Sequence, residues 1–321
     1  MPVHGADMME ELIGRLTIYS SGFIFNIAVA LIVNSVAIII FAKRFQAILA
    51  QLGQPISSVH SFLITNTVQL AAYVAPLGTG ALISKPMMTY FYSKVPVRKT
   101  VLAVIFEQIY TLYWDLFLLL SILLFAGGAF LEGVRTVTIA AWLSILGIFT
   151  LSMTQYEKAL LYIIDKGEGA PRFFRKAMAK FGVSERKDVE SLKQSLRAFL
   201  DNGFLIRYSL YIVSVILILP LTLYFTGRSC GVELMYSSAF IGYWSSMILG
   251  RLSGLPGGIG VRDVSMGAFL VYLQVPAADA AVITLLNRLV VTFQYVVVGG
   301  PLLTRAMRDV AVIELMKRHK G

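Results

Sequence analysis

The stretch LPGGIGVRDVSMGAFLVYLQVPAADAAVITLLNRL (255–289) decides the fold. It opens on Pro256 with Gly257, Gly258 and Gly260, runs at once into Arg262-Asp263, and continues apolar to a second break at Val275-Pro276. The long apolar run that follows carries Arg288 in its interior. Proline and glycine free backbone polar groups, and at membrane depth this is tolerated only where protein or water covers them. A charge inside an apolar run is costly there and needs a partner or a polar cavity. Read together, these features predict broken helices around an internal polar site.

The rest of the chain supports that reading. Of 321 residues, 57% are hydrophobic and only 14% charged, with a net charge of +10. Average soluble domains have about 25% charged residues, and a soluble domain of this size could not hide so much apolar surface. The composition excludes an ordinary cytosolic enzyme and a disordered chain. A single cysteine, Cys230, excludes a disulfide scaffold, and three scattered histidines (His4, His60, His319) argue against a histidine-built metal centre, so no metal and no cofactor are expected. Phosphate-binding, dinucleotide, nucleophile-elbow and zinc-protease motifs do not occur.

A bilayer-spanning helix needs about 20 largely uncharged residues. Five stretches qualify: Leu16 to Ala42, stopped by Lys43-Arg44; Thr100 to Leu131; Thr136 to Thr154; Tyr208 to Gly227; and Ala280 to Thr304. The acidic start (Asp7, Glu10, Glu11) has no basic n-region, so the first is read as a retained helix. Two regions, Phe45 to Ser84 and Leu234 to Val275, are too long for one span and are interrupted by proline and glycine. The predicted class is an all-α polytopic membrane protein, one membrane domain over 1–321, with about five full spans and two broken or re-entrant helical hairpins.

The basic residues set the expected orientation. Ten of the 28 Lys and Arg fall in 155–203 and five more beyond Leu303. If these are cytoplasmic, the N-terminus lies outside, and the hairpins dip from opposite faces of the cytoplasmic membrane. APRFFRKAMAKFG (170–182) mixes aromatics with basic residues at helical spacing, as an interfacial helix on anionic lipid does. The segment 155–203 is therefore read as a cytoplasmic amphipathic segment and 304–321 as a basic tail on the membrane surface; nucleic acid is not expected as a partner.

A shift of 180 residues brings the two broken regions into register. Pro76, Gly78, Gly80, Tyr92, Val95 and Pro96 fall on Pro256, Gly258, Gly260, Tyr272, Val275 and Pro276, and Glu107-Gln108 falls on Asn287-Arg288. The identities gather where backbone geometry is most demanding. This predicts an inverted repeat, 45–131 against 232–304, of the kind that places transporter sites at discontinuous helices.

These residues carry a resemblance. The P-x-G-x-G pattern, the V-P turn and the buried charge in the next helix resemble the lysylphosphatidylglycerol synthase transmembrane family, most closely over 255–289, where Arg262-Asp263 stands at the family's usual Arg-Glu. The first repeat departs from the pattern, with Gln108 where arginine is common. The resemblance implies a flippase-like membrane protein that moves a polar lipid, aminoacylated phosphatidylglycerol or a relative, across the cytoplasmic membrane. In longer relatives a cytosolic domain transfers lysine or alanine from tRNA to phosphatidylglycerol; that domain is not in this sequence. The alternatives are a phosphatidylglycerol lysyltransferase component acting with a separate lipid-modifying enzyme, and an ion or solute transporter. Membrane lipids (anionic, aminoacylated or glycosylated) are the expected partners, and a homo-oligomer is compatible with the sequence.

Candidate headgroup ligands are the charges within the apolar regions: Arg251, Arg262, Arg288 and Lys85 for phosphate, with Glu107, Asp115 and Asp263 for an amine or to tune the arginines. Arginine's planar fork binds phosphate through two parallel hydrogen bonds. The competing structural reading pairs Arg262 with Asp263 at a turn end and Arg288 with Glu107 across the repeats, and lets Lys85 snorkel to the interface. Pro76, Gly78, Gly80, Pro256, Gly257, Gly258 and Gly260 are assigned to hairpin geometry.

Overall fold

The computed structural model describes residues 20–74, 79–126, 143–144, 194, 197–199, 201–305 and 308. No strand occurs among them, and the protein is an all-α membrane protein. The helices are α1 (Ser20–Gln51), α2 (Ser58–Val74), α3 (Thr79–Ser93), α4 (Val97–Ala126), α5 (Asn202–Ile218), α6 (Pro220–Ser229), α7 (Tyr236–Leu252), α8 (Val261–Tyr272) and α9 (Ala277–Gln294). A 3₁₀ turn, Pro256–Gly258, links α7 to α8, and a π turn, Tyr295–Gly299, extends α9.

Four stretches are long and apolar enough to cross a membrane: Gly22–Gln51, Val97–Ile122, Asn202–Ser229 and Ala277–Arg305. They match four of the five expected spans. The fifth, 136–154, lies outside the described residues except for 143–144, and so do Pro76, Gly78, most of 155–203 and most of the tail. The spans carry large apolar side chains on their outer faces, among them Ile24, Phe25, Leu210, Leu285 and Phe293. In water such a surface would be a severe aggregation liability, whereas lipid accommodates it.

Two boundaries differ from expectation. Lys43-Arg44 does not end the first span: α1 runs on to Gln51, taking in residues assigned above to the first hairpin. The reason is that Arg44 is buried and paired, so its charge does not require an aqueous end to the helix. The fourth span is broken at Leu219, where Pro220 starts α6; proline has no N–H to continue the ladder and its ring clashes with the preceding turn.

The 180-residue offset reappears in the helix ends. Shifted back by 180, α5 with α6 falls on 22–49, within α1; α7 falls on 56–72 against α2; and α8 falls on 81–92 within α3. Ala277, where α9 begins, falls on Val97, where α4 begins. Even a rare backbone state recurs: Lys94 and Gln274, 180 apart, are the two non-glycine residues with positive φ among those described, at 56° and 65°. Each precedes a buried valine and a proline. At Gln274 the helix closes by a Schellman arrangement, with the Val275 N–H donating to the Leu270 carbonyl at 3.1 Å. Holding a non-glycine residue left-handed costs about 1–2 kcal/mol. Gln274→Gly should therefore stabilise the protein by about 0.5–1 kcal/mol after the extra entropy of glycine in the unfolded chain is subtracted. Thermal unfolding in detergent would read this as a rise in the midpoint; a fall would show that the Gln274 side chain, rather than the φ angle, governs the turn.

The chain divides into two compact units. One comprises 1–40, 69–79 and 214–321, the other 41–68 and 80–213. In the first, Asn34 donates to the Val290 and Val291 carbonyls at 3.4 Å, Asn287 donates to the Thr222 hydroxyl at 3.1 Å, and the Trp244 indole donates to the Ile216 carbonyl at 2.9 Å. The core of the second is aromatic: Phe106 stacks on Phe199 at 4.4 Å and packs near Phe204, Tyr208 and Tyr110.

Candidate functional site

Each unit holds a cluster of two cations and one carboxylate, buried throughout in one and part-exposed at Arg288 and Asp263 in the other. In the unit built on 41–68 and 80–213, Glu107 projects from α4 toward Arg44 of α1 and Lys85 of α3. Glu107 Oε1 accepts from Arg44 Nη2 at 2.7 Å, and its Oε2 accepts from the Lys85 ammonium. Only 7% of Arg44, 7% of Lys85 and 4% of Glu107 is exposed. Aromatic rings complete the cage: the Arg44 guanidinium lies 5.7 Å from the Tyr208 ring centroid, and the Lys85 ammonium 4.1 Å from that of Phe45. Both carboxylate oxygens are engaged and every charge is tied to another. Such a triad fixes the packing of three helices. Lys85, expected to snorkel, is instead held inside by Glu107.

The other cluster is built around the turn at 256–260. Tyr73, near the end of α2, lies against Gly257: a Cβ there would stand 2.6 Å from the Tyr73 ring, at a φ of +56°. Only glycine allows this approach. Arg262, in the first turn of α8, is 3% exposed; its Nη1 donates to the Tyr73 hydroxyl at 3.3 Å and its guanidinium lies 5.6 Å from the Tyr243 ring centroid. Arg288 reaches across from α9. Its Nη1 donates to both oxygens of Asp263, at 3.0 and 3.1 Å, its Nη2 donates to the Gly257 carbonyl at 3.3 Å, and its guanidinium lies 5.4 Å from the Tyr73 ring centroid. Asp263 also accepts the Gly260 N–H at 3.2 Å, which caps α8. Tyr295, which opens the π turn, packs its ring 5.9 Å from Tyr73. π turns inside helices often mark functional positions.

The two clusters have the same charge count and differ in carboxylate pairing: Arg44 and Lys85 both pair with Glu107, although Arg44 Nε is also buried without a hydrogen-bond partner. Among the described residues no carboxylate pairs with Arg262, and its Nη2 is buried without a hydrogen-bond partner. A buried guanidinium without a carboxylate costs several kcal/mol, offset here in part by its hydrogen bond to Tyr73. This donor stands beside the rings of Tyr73 and Tyr243.

The candidate residues thus separate. Arg262, Asp263 and Arg288 come together with Gly257, Gly258 and Gly260 at one turn, while Lys85 and Glu107 belong to the tied triad. The Arg288–Glu107 bridge of the competing structural reading is corrected: Arg288 is taken by Asp263, and Glu107 by Arg44 and Lys85. Arg262 does not pair with its neighbour Asp263, because the next residue on a helix faces another direction. Arg251 is exposed at the end of α7, and Asp115, part-buried, lies two turns beyond Glu107 on α4. Gly80 stands in the first turn of α3. Sequence reasoning missed Arg44, which looked like a cytoplasmic stop signal, and Tyr73, Tyr243 and Tyr295, which composition assigns to interfacial belts. The Arg44 signal was its place at the end of an uncharged run with a lone glutamate in a later helix. The tyrosines gave none. No group of three or more His, Cys, Asp or Glu that could hold a metal occurs among the described residues.

Comparison with known proteins agrees with this architecture. The sequence profile of the family described as lysylphosphatidylglycerol synthase TM region matches residues 10–299. A UPF0104 membrane protein of Methanothermobacter thermautotrophicus is 23% identical over 289 residues, covering 85% of this chain and 81% of that protein. A UPF0104 membrane protein of Pyrococcus horikoshii is 25% identical over 187 residues, 54% of this chain and 52% of the relative. No solved structure matches.

Proposed function

The chain belongs to the lysylphosphatidylglycerol synthase TM region family, and from that premise we propose that it translocates phospholipid between the leaflets of the cytoplasmic membrane, with the headgroup phosphate held by Arg262 and Arg288. The observation that carries this reading is the buried, unpaired Nη2 of Arg262. Phosphate oxygens are the natural complement to such an edge, since arginine binds them through parallel, charge-assisted hydrogen bonds. A translocase must shield the headgroup from hydrocarbon while the acyl chains remain in lipid, and a polar site beside a broken helix in an otherwise apolar protein provides that shield. The coincidence of helix ends at the 180-residue offset supports reading the chain as a duplicated unit, and the distribution of basic residues supports a topology with 155–203 and the C-terminus cytoplasmic and the N-terminus outside.

The test is leaflet exchange in liposomes. With fluorescent phospholipid, vesicles containing the protein should exchange lipid well above the rate of protein-free vesicles. Arg262→Ala and Arg288→Ala should each lower the protein-dependent rate by about tenfold or more, the loss expected when one charge-assisted contact of about 1.5–3 kcal/mol is removed. Exchange no faster than in empty vesicles, or unaltered by both substitutions, would sink the proposal.

A further inference from the structure

The Arg262 site also bears on which headgroup it accepts. It holds two guanidinium groups and one carboxylate. Asp263 accepts three hydrogen bonds, two from Arg288 and one from the Gly260 N–H. A carboxylate has about four acceptor positions, so little remains for an ammonium group. The other means of holding an ammonium is an aromatic face. Here the Tyr243 ring lies beside Arg262 and the Tyr73 ring beside Arg288. A cation entering this site would meet a net positive charge with its usual partners already engaged.

A groove begins at two of these charges, Asp263 and Arg288. It is an open groove of about 450 Å³ between α8 and α9, and Asp263, Gly267, Val271, Ala277, Ala281 and Arg288 line it. The two helices are joined through 273–276, so Val271 and Ala277 mark one end of the groove and the Asp263–Arg288 pair the other. Eleven helical residues separate Ala277 from Arg288, about 16 Å, or roughly half of the ~30 Å hydrocarbon core. The groove thus has the form of an amphiphile: small, apolar residues along one leaflet's depth and charge at a single end.

We infer that this site selects a phospholipid with a net negative headgroup, one acyl chain lying along the α8–α9 groove, and disfavours the same lipid made cationic by an aminoacyl ester. The inference rests on the reading of the Arg262 site as the headgroup site, and it departs from the aminoacylated lipid that the family resemblance implies. Discrimination comes from repulsion as much as attraction: the phosphate is common to both lipids, and the added ammonium is what the site has no place for.

The experiment is a binding measurement on the purified full chain in detergent, separate from transport. The probes are dihexanoyl phosphatidylglycerol, dihexanoyl lysyl-phosphatidylglycerol and the deacylated headgroup glycerophosphoglycerol. Phosphatidylglycerol is expected to bind at least tenfold more tightly than the other two, the lysyl form losing by charge and the deacylated form by the missing chain. Arg262→Gln should lower phosphatidylglycerol affinity at least tenfold, and Arg262→Lys, which keeps the charge without the fork, should fall between. Should Arg262→Gln fail to fold, the preference of the unmodified protein among the three probes still decides. Lysyl-phosphatidylglycerol binding as tightly or more tightly, glycerophosphoglycerol binding equally well, or no saturable binding would each overturn the inference. Selective binding without leaflet exchange would leave it standing and overturn translocation instead.

Discussion

Glu107→Ala is expected to cost about 3–5 kcal/mol of stability, because removing one member of a buried ion pair leaves its partner uncompensated. Here the substitution strands two cations, Arg44 and Lys85, each 7% exposed and each bonded to Glu107. The midpoint of thermal unfolding in detergent should fall steeply, and hydrogen exchange should quicken along α1, α3 and α4. The control is the triple variant Arg44→Met, Lys85→Met, Glu107→Met. Replacing a whole buried ion cluster with apolar side chains of similar volume is often neutral or stabilising. The triple variant should therefore be far more stable than Glu107→Ala. If both are equally unstable, the triad acts through shape rather than charge.

Gly258→Ala should be nearly as damaging, by about 2 kcal/mol or more, for a reason unrelated to charge. Gly258 has a φ of +66°, and a Cβ there would stand 2.9 Å from the Gly250 Cα and 3.1 Å from its carbonyl carbon. These are backbone atoms of α7, which cannot rotate aside. Gly260 has a φ of +83° with nothing within 4 Å of the same added atom, so Gly260→Ala carries only the conformational cost of about 1–2 kcal/mol. Gly258→Ala should also reduce lipid exchange, since moving the turn pulls the Gly257 carbonyl from Arg288 and the Gly257 backbone from Tyr73. Unfolding midpoints that do not separate the two alanine variants would show that close packing against α7 is not what fixes the turn.

The pattern of these effects shows where sequence reading reaches and where it stops. Spans 16–42, 100–131, 208–227 and 280–304 were legible because the bilayer demands about 20 apolar residues and tolerates no unpaired backbone. The observed spans differ from them mainly at the ends. Lys43-Arg44 misled because a basic pair after an apolar run usually marks the aqueous interface; at this position Arg44 has a glutamate waiting 63 residues further on. That pairing has no local signature. Asp263 and Arg288 were both recognised as headgroup candidates, and the competing structural reading paired Arg288 with Glu107, since a lone acid and a lone base in apolar helices look like natural partners. Helix direction and the turn at 256–260 assign them otherwise.

The sequence alone determined that this is an all-α membrane protein, that its charges are few and confined, and that its backbone breaks at the Pro-Gly turn of 256–260. These follow from solvation: hydrocarbon imposes the same local requirements wherever a segment lies in the chain. Only the tertiary structure decided which charges neutralise one another. Glu107 pairs with both Arg44 and Lys85, whereas Asp263 pairs with Arg288 and leaves Arg262 without a carboxylate. Pairing depends on distances of about 3 Å between residues tens of positions apart, and such distances are set by how helices pack rather than by the composition of any one of them.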